Sequence, residues 1–190
     1  MTTTTAPTSA APALRQLYLV RFGFALIWAV VLFFAASSIS AVSATLLVIY
    51  PLFDAGAAIV DARSSRPSRS TPGLYANIAI SVIAAIGMAF AVMSGIPAVL
   101  QTWGVWAVVT GLVQLIVALR RRGLAGQWAM IISGTISTLA GVTFLLQATA
   151  APRSLANLAG YALLGGIFFL VSALRLGRNA TRSTGTRNSQ

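Results

Sequence analysis

The sequence predicts an all-α fold, a polytopic membrane bundle of six transmembrane helices arranged as three consecutive helical hairpins. Three observations carry that expectation. The chain of 190 residues is 57% hydrophobic and only 8% charged, with a mean hydropathy of +0.86. A soluble domain is about 25% charged, and a globule of this length leaves too much surface exposed to hide so much apolar area. Six apolar runs of about 19–21 residues follow one another, each long enough to cross a hydrocarbon core of about 30 Å at about 1.5 Å per residue. Arginines collect in alternate connections between the runs.

The elements follow in order. Residues 1–14 (MTTTTAPTSAAPAL) are rich in Thr, Ala and Pro without apolar periodicity and read as a disordered tail. The first span is about 17–36, interrupted by Arg21. Its rival reading is a signal peptide with a cleavable 41–44 (AVSA), but an h-region is typically about 7–15 residues and this run is longer. The second span is about 41–60, followed by the basic loop 61–73 (DARSSRPSRSTPG). The third, about 74–93, is joined by an uncharged turn at 94–98 (SGIPA) to the fourth, about 99–119. Arg120, Arg121, Arg122 and Gly123 close that span. The fifth is about 128–146, and a short loop with Pro152 and Arg153 leads to the sixth, about 155–174. The basic tail reads as disordered from 179 to 190. Backbone groups find no partner in hydrocarbon, so each span is expected to be helical.

Loop charge sets the expected orientation. The connections after the second and fourth spans carry three arginines each, the C-terminal tail carries Arg175, Arg178, Arg182 and Arg187, and Arg15 precedes the first span. The opposite side has only Arg153. This positive-inside bias places both termini in the cytoplasm of a multi-pass plasma-membrane protein. A net charge of +11 would suggest nucleic acid in a soluble chain. Here membrane orientation explains it, and the partner expected at the cytoplasmic arginines is the bilayer with its anionic headgroups. A homo-oligomer or membrane-protein partner is also open.

The even-numbered spans resemble one another. Residues 106–120 read WAVVTGLVQLIVALR and residues 161–175 read YALLGGIFFLVSALR, a shift of 55. Residues 50–64 (YPLFDAGAAIVDARS) fit more weakly at a shift of 56, which aligns Asp54 with Thr110 and Gly165. Among odd spans, Gly87 and Phe90 match Gly141 and Phe144 at a shift of 54. Three hairpin repeats, about 17–63, 74–120 and 128–175, are therefore expected. Small residues at Gly56, Gly87, Gly111, Gly134, Gly141, Gly165 and Gly166 suit close helix packing. The Gly165–Gly166 pair is also a candidate flexible point.

The repeated W/Y-A-x-x-x-G-x-x-x-L-x-x-A-L-R pattern resembles the HdeD family of bacterial six-helix membrane proteins. So does 126–144 (GQWAMIISGTISTLAGVTF), and Tyr50 through Asp54 resembles that family's aromatic-then-DG element. The resemblance covers about residues 17–178 and is closest over 103–178. It departs where Gln114 and Gln127 stand in place of frequent glutamates and where Ala55 follows Asp54. The resemblance implies a plasma-membrane protein associated with acid or general stress resistance, with no catalytic residue or cofactor.

The residue inventory leaves little room for catalysis. Histidine, cysteine and glutamate are absent, and Asp54 and Asp61 are the only side-chain carboxylates. That excludes His- or Cys-based nucleophile activation and zinc sites, and no phosphate-cradling glycine loop is present. No enzyme activity, metal or cofactor is expected. The most informative position is Asp54, since a charge in hydrocarbon is costly, about 2.5–3.5 kcal/mol on insertion scales. Arg21 enters the first span at a compatible depth, so an Arg21–Asp54 contact is expected, with Tyr50 one turn away as a possible hydrogen-bond donor. Thr110 and Gln114 form a similar polar pair in the fourth span. The candidate intramembrane polar site is thus Arg21, Tyr50, Asp54, Thr110 and Gln114. Asp61 reads as a helix-end charge. Trp103, Trp106, Trp128, Tyr18 and Tyr75 fit interface belts or packing, and Trp28, which lies deeper, reads as packing. Two functions remain open: a non-enzymatic, stress-associated membrane protein, which predicts a dry bundle, or a small transporter or channel subunit, which predicts a polar cavity reaching Asp54.

Overall fold

The computed structural model describes residues 10–64, 71–120, 127–151 and 153–187. They form six helices: α1 (Ala10–Phe34), α2 (Ala41–Ser64), α3 (Thr71–Ser94), α4 (Ile96–Arg120), α5 (Gln127–Thr149) and α6 (Ala156–Arg187). All six are long and apolar enough to cross a membrane. Their outward surface is apolar, with Phe34 and Met93 more than four-fifths exposed, a liability in water and an ordinary lipid-facing surface in a bilayer.

Two expectations about the tails are corrected. Residues 10–14 belong to α1, and residues 179–187 continue α6. Once a packed span has nucleated a helix, adding residues costs little and postpones the loss of backbone partners at its end. The remaining tail residues, 1–9 and 188–190, and the loop arginines Arg66, Arg69, Arg121 and Arg122 lie outside the described residues.

The turns at one end of the bundle are tight, and each has a local cause. Between α1 and α2, Ser40 and Ser43 cap reciprocally: the Ser43 amide donates to Ser40 Oγ (3.2 Å) and the Ser40 amide to Ser43 Oγ (2.8 Å). This satisfies two donors that a helix start leaves open. Between α3 and α4 the connection is Gly95 alone, with φ +102°, a left-handed conformation that glycine adopts without a side-chain clash. Between α5 and α6, Arg153 Nε donates to the Ala148 carbonyl (3.1 Å) and Ser154 Oγ accepts from the Ala156 amide (3.1 Å).

The helices form a ring in chain order, with α6 returning to α1. The three closest pairings are α4 with α5, α1 with α6 and α2 with α3. Each therefore joins the even helix of one hairpin to the odd helix of the next. The α4/α5 pair is drawn together by glycines facing each other in antiparallel register. A Cβ built on Gly104 would stand 2.8 Å from the Gly141 carbonyl oxygen, and one on Gly111 would stand 2.7 Å from that of Gly134. Without side chains there, the backbones meet directly and gain van der Waals contact, which drives association where lipid removes the hydrophobic effect. The internal repeat reappears in space. Gly166, the counterpart of Gly111, makes the same kind of approach in the α6/α1 pair, where an added Cβ would lie 3.0 Å from Ala25 Cβ. Gly166 thus serves packing within an unbroken α6 rather than flexibility.

Side chains fill the middle of the ring. Trp28, Leu32, Leu47, Met88, Leu100, Trp103, Leu155 and Leu158 are all essentially fully buried.

Candidate functional site

The site begins at a proline inside α2. Pro51, buried inside the helix, has no N–H to give to the carbonyl four residues earlier and crowds it. On that same turn, the carbonyl of Leu46 accepts a hydrogen bond from Trp28 Nε1 of α1 (2.7 Å). Three residues beyond the proline, Asp54 projects into the bundle.

Asp54 is tied on both oxygens. Arg21 of α1 donates Nη2 to Oδ1 and forms an ion pair with it. From α3, Asn77 Nδ2 donates to Oδ2 at 3.0 Å and Ser81 Oγ at 2.8 Å. The Ser81 hydroxyl in turn accepts from Trp106 Nε1 of α4 at 3.3 Å. The Arg21 guanidinium also lies 4.3 Å from the centroid of the Phe169 ring on α6, a cation–π contact. One carboxylate thus organises side chains from five of the six helices. The Arg21 and Asp54 side chains are 11% and 18% accessible.

Beside this network lies an aromatic cluster. Trp28 and Tyr50 rings are 4.6 Å apart, Trp28 and Trp103 5.3 Å, Tyr50 and Trp103 5.3 Å, and Trp103 and Trp106 5.3 Å. Phe24 stacks on Phe53 at 3.7 Å and reaches Tyr50 at 5.6 Å. These spacings are those of rings in direct contact. Trp103 Nε1 is buried without a hydrogen-bond partner.

The five residues expected from the sequence separate here. Arg21 and Asp54 are joined. Tyr50 is adjacent, but it packs its ring against the tryptophans, and its hydroxyl is not among the donors to Asp54. Thr110 is not part of the network, because its hydroxyl bonds back to the Trp106 carbonyl (2.8 Å) in its own helix, a common resting place for a threonine inside a helix. Gln114 is half-buried and does not reach Asp54. Trp103 and Trp106 are core residues, whereas Trp128 and Tyr75 are exposed, as interface residues would be.

Asn77 and Ser81 are not singled out from the sequence, and Trp106 reads there only as an interface or packing residue. A signal existed: Asn77 and Ser81 are polar residues four apart in an otherwise apolar helix, on one face and opposite the only intramembrane carboxylate. A second polar bridge joins α5 and α6, where the Tyr161 and Ser137 hydroxyls are 3.0 Å apart. Among the described residues, no three His, Cys, Asp or Glu side chains are grouped to hold a metal ion.

A family model described as a short repeat of unknown function (DUF308) matches residues 76–146. The matched stretch runs from α3 through α4 into α5 and includes both facing glycine pairs. Neither the curated proteins nor the solved structures contain a match to this chain.

Proposed function

We propose that the chain is a non-catalytic, HdeD-like protein of the bacterial plasma membrane that contributes to acid or general stress resistance. Both termini lie in the cytoplasm. The matched repeat family supports the HdeD-like reading, and the arginine-rich connections support the orientation.

The observation that carries the non-transporting role is the occupancy of the ring's interior. Packed aromatic rings fill its centre, and Asp54 already receives bonds from Arg21, Asn77 and Ser81. A charge so partnered has its desolvation offset and acts as a tie between helices. The second reading, a small transporter or channel subunit using Asp54, draws on the residual accessibility of that side chain.

Acid challenge of cells lacking the chain tests both. Reduced survival, restored equally by wild type and by Asp54→Asn at matched abundance, is the expected result. Failure of Asp54→Asn alone would favour the transporter reading. Normal survival of the deletion would overturn the stress role. A reporter fused to the C-terminus checks the orientation, with cytoplasmic activity expected.

A further inference from the structure

We propose that the arginine-bearing half of the ring encloses a blind vestibule, filled with water continuous with the cytoplasm and reaching the Arg21–Asp54 pair. It rests on the cytoplasmic placement of that end proposed above and is independent of the stress role.

One position in each helix marks the closed end. Trp28, Leu47, Met88, Trp103, Phe144 and Leu158, one from each of α1 to α6, belong to a single packed cluster, and none is more than 3% exposed. Seven residues nearer the arginine end, each helix presents a side chain in nearly the same direction, about 20° away and about 10 Å further along. Those positions are Arg21, Asp54, Ser81, Thr110, Ser137 and Gly165. In every helix, a large apolar residue thus gives way to a polar residue or glycine at one depth.

Exposure changes at the same step. Of these six residues only Ser81 is buried, and the other five are half-buried. They share the direction of the fully buried layer, so the opening lies inside the ring and not on its lipid face. Gly165 marks the room available, since a Cβ built there would meet no atom within 4 Å. Four residues further toward the arginine end, Asn77, Gln114 and Ser133 continue the same stripes and are also half-buried.

Room and polar partners are what an internal site needs to hold water. Water there also lowers the cost of charge at membrane depth, where ionisable residues face a bundle interior or a wet cavity. The 11% and 18% accessibility of the Arg21 and Asp54 side chains is their contact with this vestibule. The apolar cluster closes the other end, so the vestibule provides no path across the membrane and is compatible with a non-transporting role.

The chain has no cysteine, so single introduced thiols report accessibility without background. A charged, membrane-impermeant methanethiosulfonate reacts with the thiolate, which forms in water and not in hydrocarbon or a packed core. Thr110→Cys, Gln114→Cys and Gly165→Cys line the vestibule. Leu112→Cys lies at the same depth on the exposed face of α4, Leu158→Cys lies in the closed layer, and Arg120→Cys marks the arginine end. In right-side-out and inverted vesicles, the three vestibule variants should react from the same side as Arg120→Cys. They should react about tenfold faster than Leu112→Cys and Leu158→Cys. The side from which Arg120→Cys reacts reads the orientation separately. Equal labelling of every variant after denaturation shows that each thiol is intact, and an unchanged helical circular-dichroism signal checks the fold. Vestibule variants no faster than Leu112→Cys would overturn the proposal. So would their reaction from the side opposite Arg120→Cys, or a Leu158→Cys variant that reacts as fast as they do.

Discussion

Arg21 on α1 and Asp54 on α2 form an ion pair within the apolar spans, and Asn77 and Ser81 of α3 complete the coordination of the carboxylate. Because each partner comes from a neighbouring helix of the ring, the pair fixes the register of α1, α2 and α3 together.

The two α3 donors should differ in worth. Asn77→Ala removes one hydrogen bond and should cost about 0.5–1 kcal/mol. Ser81→Ala removes a donor to Asp54 and the acceptor of Trp106 Nε1, and should cost about 1–2 kcal/mol. Reversible unfolding in mixed detergent micelles measures both, and equal costs would show that the Ser81–Trp106 link contributes nothing.

The glycines should separate by contact. At Gly111, an added Cβ meets Thr138 Oγ1 at 2.6 Å and the backbone of Gly134 and Thr138 at 2.7 Å. Backbone cannot yield as a flexible side chain does, so Gly111→Ala should push α4 from α5 and cost about 1–3 kcal/mol. At Gly56 nothing lies within 4 Å, so Gly56→Ala should be neutral or stabilise by up to about 1 kcal/mol. The same unfolding assay ranks them, and a Gly111→Ala protein as stable as wild type would contradict the close approach.

The two central tryptophans offer a matched comparison. Trp28 Nε1 bonds the Leu46 carbonyl, whereas Trp103 Nε1 is buried without a partner. Replacement by Phe costs packing at both positions, but only Trp28→Phe also loses a hydrogen bond. Trp28→Phe should therefore be the more destabilising by about 1 kcal/mol. Thermal denaturation followed by fluorescence of the remaining tryptophans reads the difference, and the reverse order would show that the Trp103 indole has a partner.

Much of this architecture was legible in the sequence because lipid makes simple demands. Run length and composition marked all six helices, and the 55-residue shift between Gly111 and Gly166 links two positions that both face a neighbouring helix, more tightly at Gly111. The pairing of α6 with α1 was not legible, because ring closure depends on which helix faces meet and not on chain order. The Arg21–Asp54 pair was readable from charge and depth. The donors from α3 require knowing which face of that helix turns toward α2. Thr110 stands apart from Asp54 because a polar side chain in a helix can satisfy itself locally, as the Thr110 hydroxyl does on the Trp106 carbonyl.

The most direct test of Asp54 as a tie between helices is the exchange of its charge with Arg21. Arg21→Asp and Asp54→Arg are made singly and together, and each protein is assayed for unfolding free energy and for proton flux in liposomes. Each single variant should lose about 2–4 kcal/mol, the double exchange should recover at least half of that loss, and flux should stay at the background of empty liposomes throughout. Single variants as stable as wild type, together with a wild-type proton flux that Asp54→Arg abolishes, would show instead that the carboxylate serves transport.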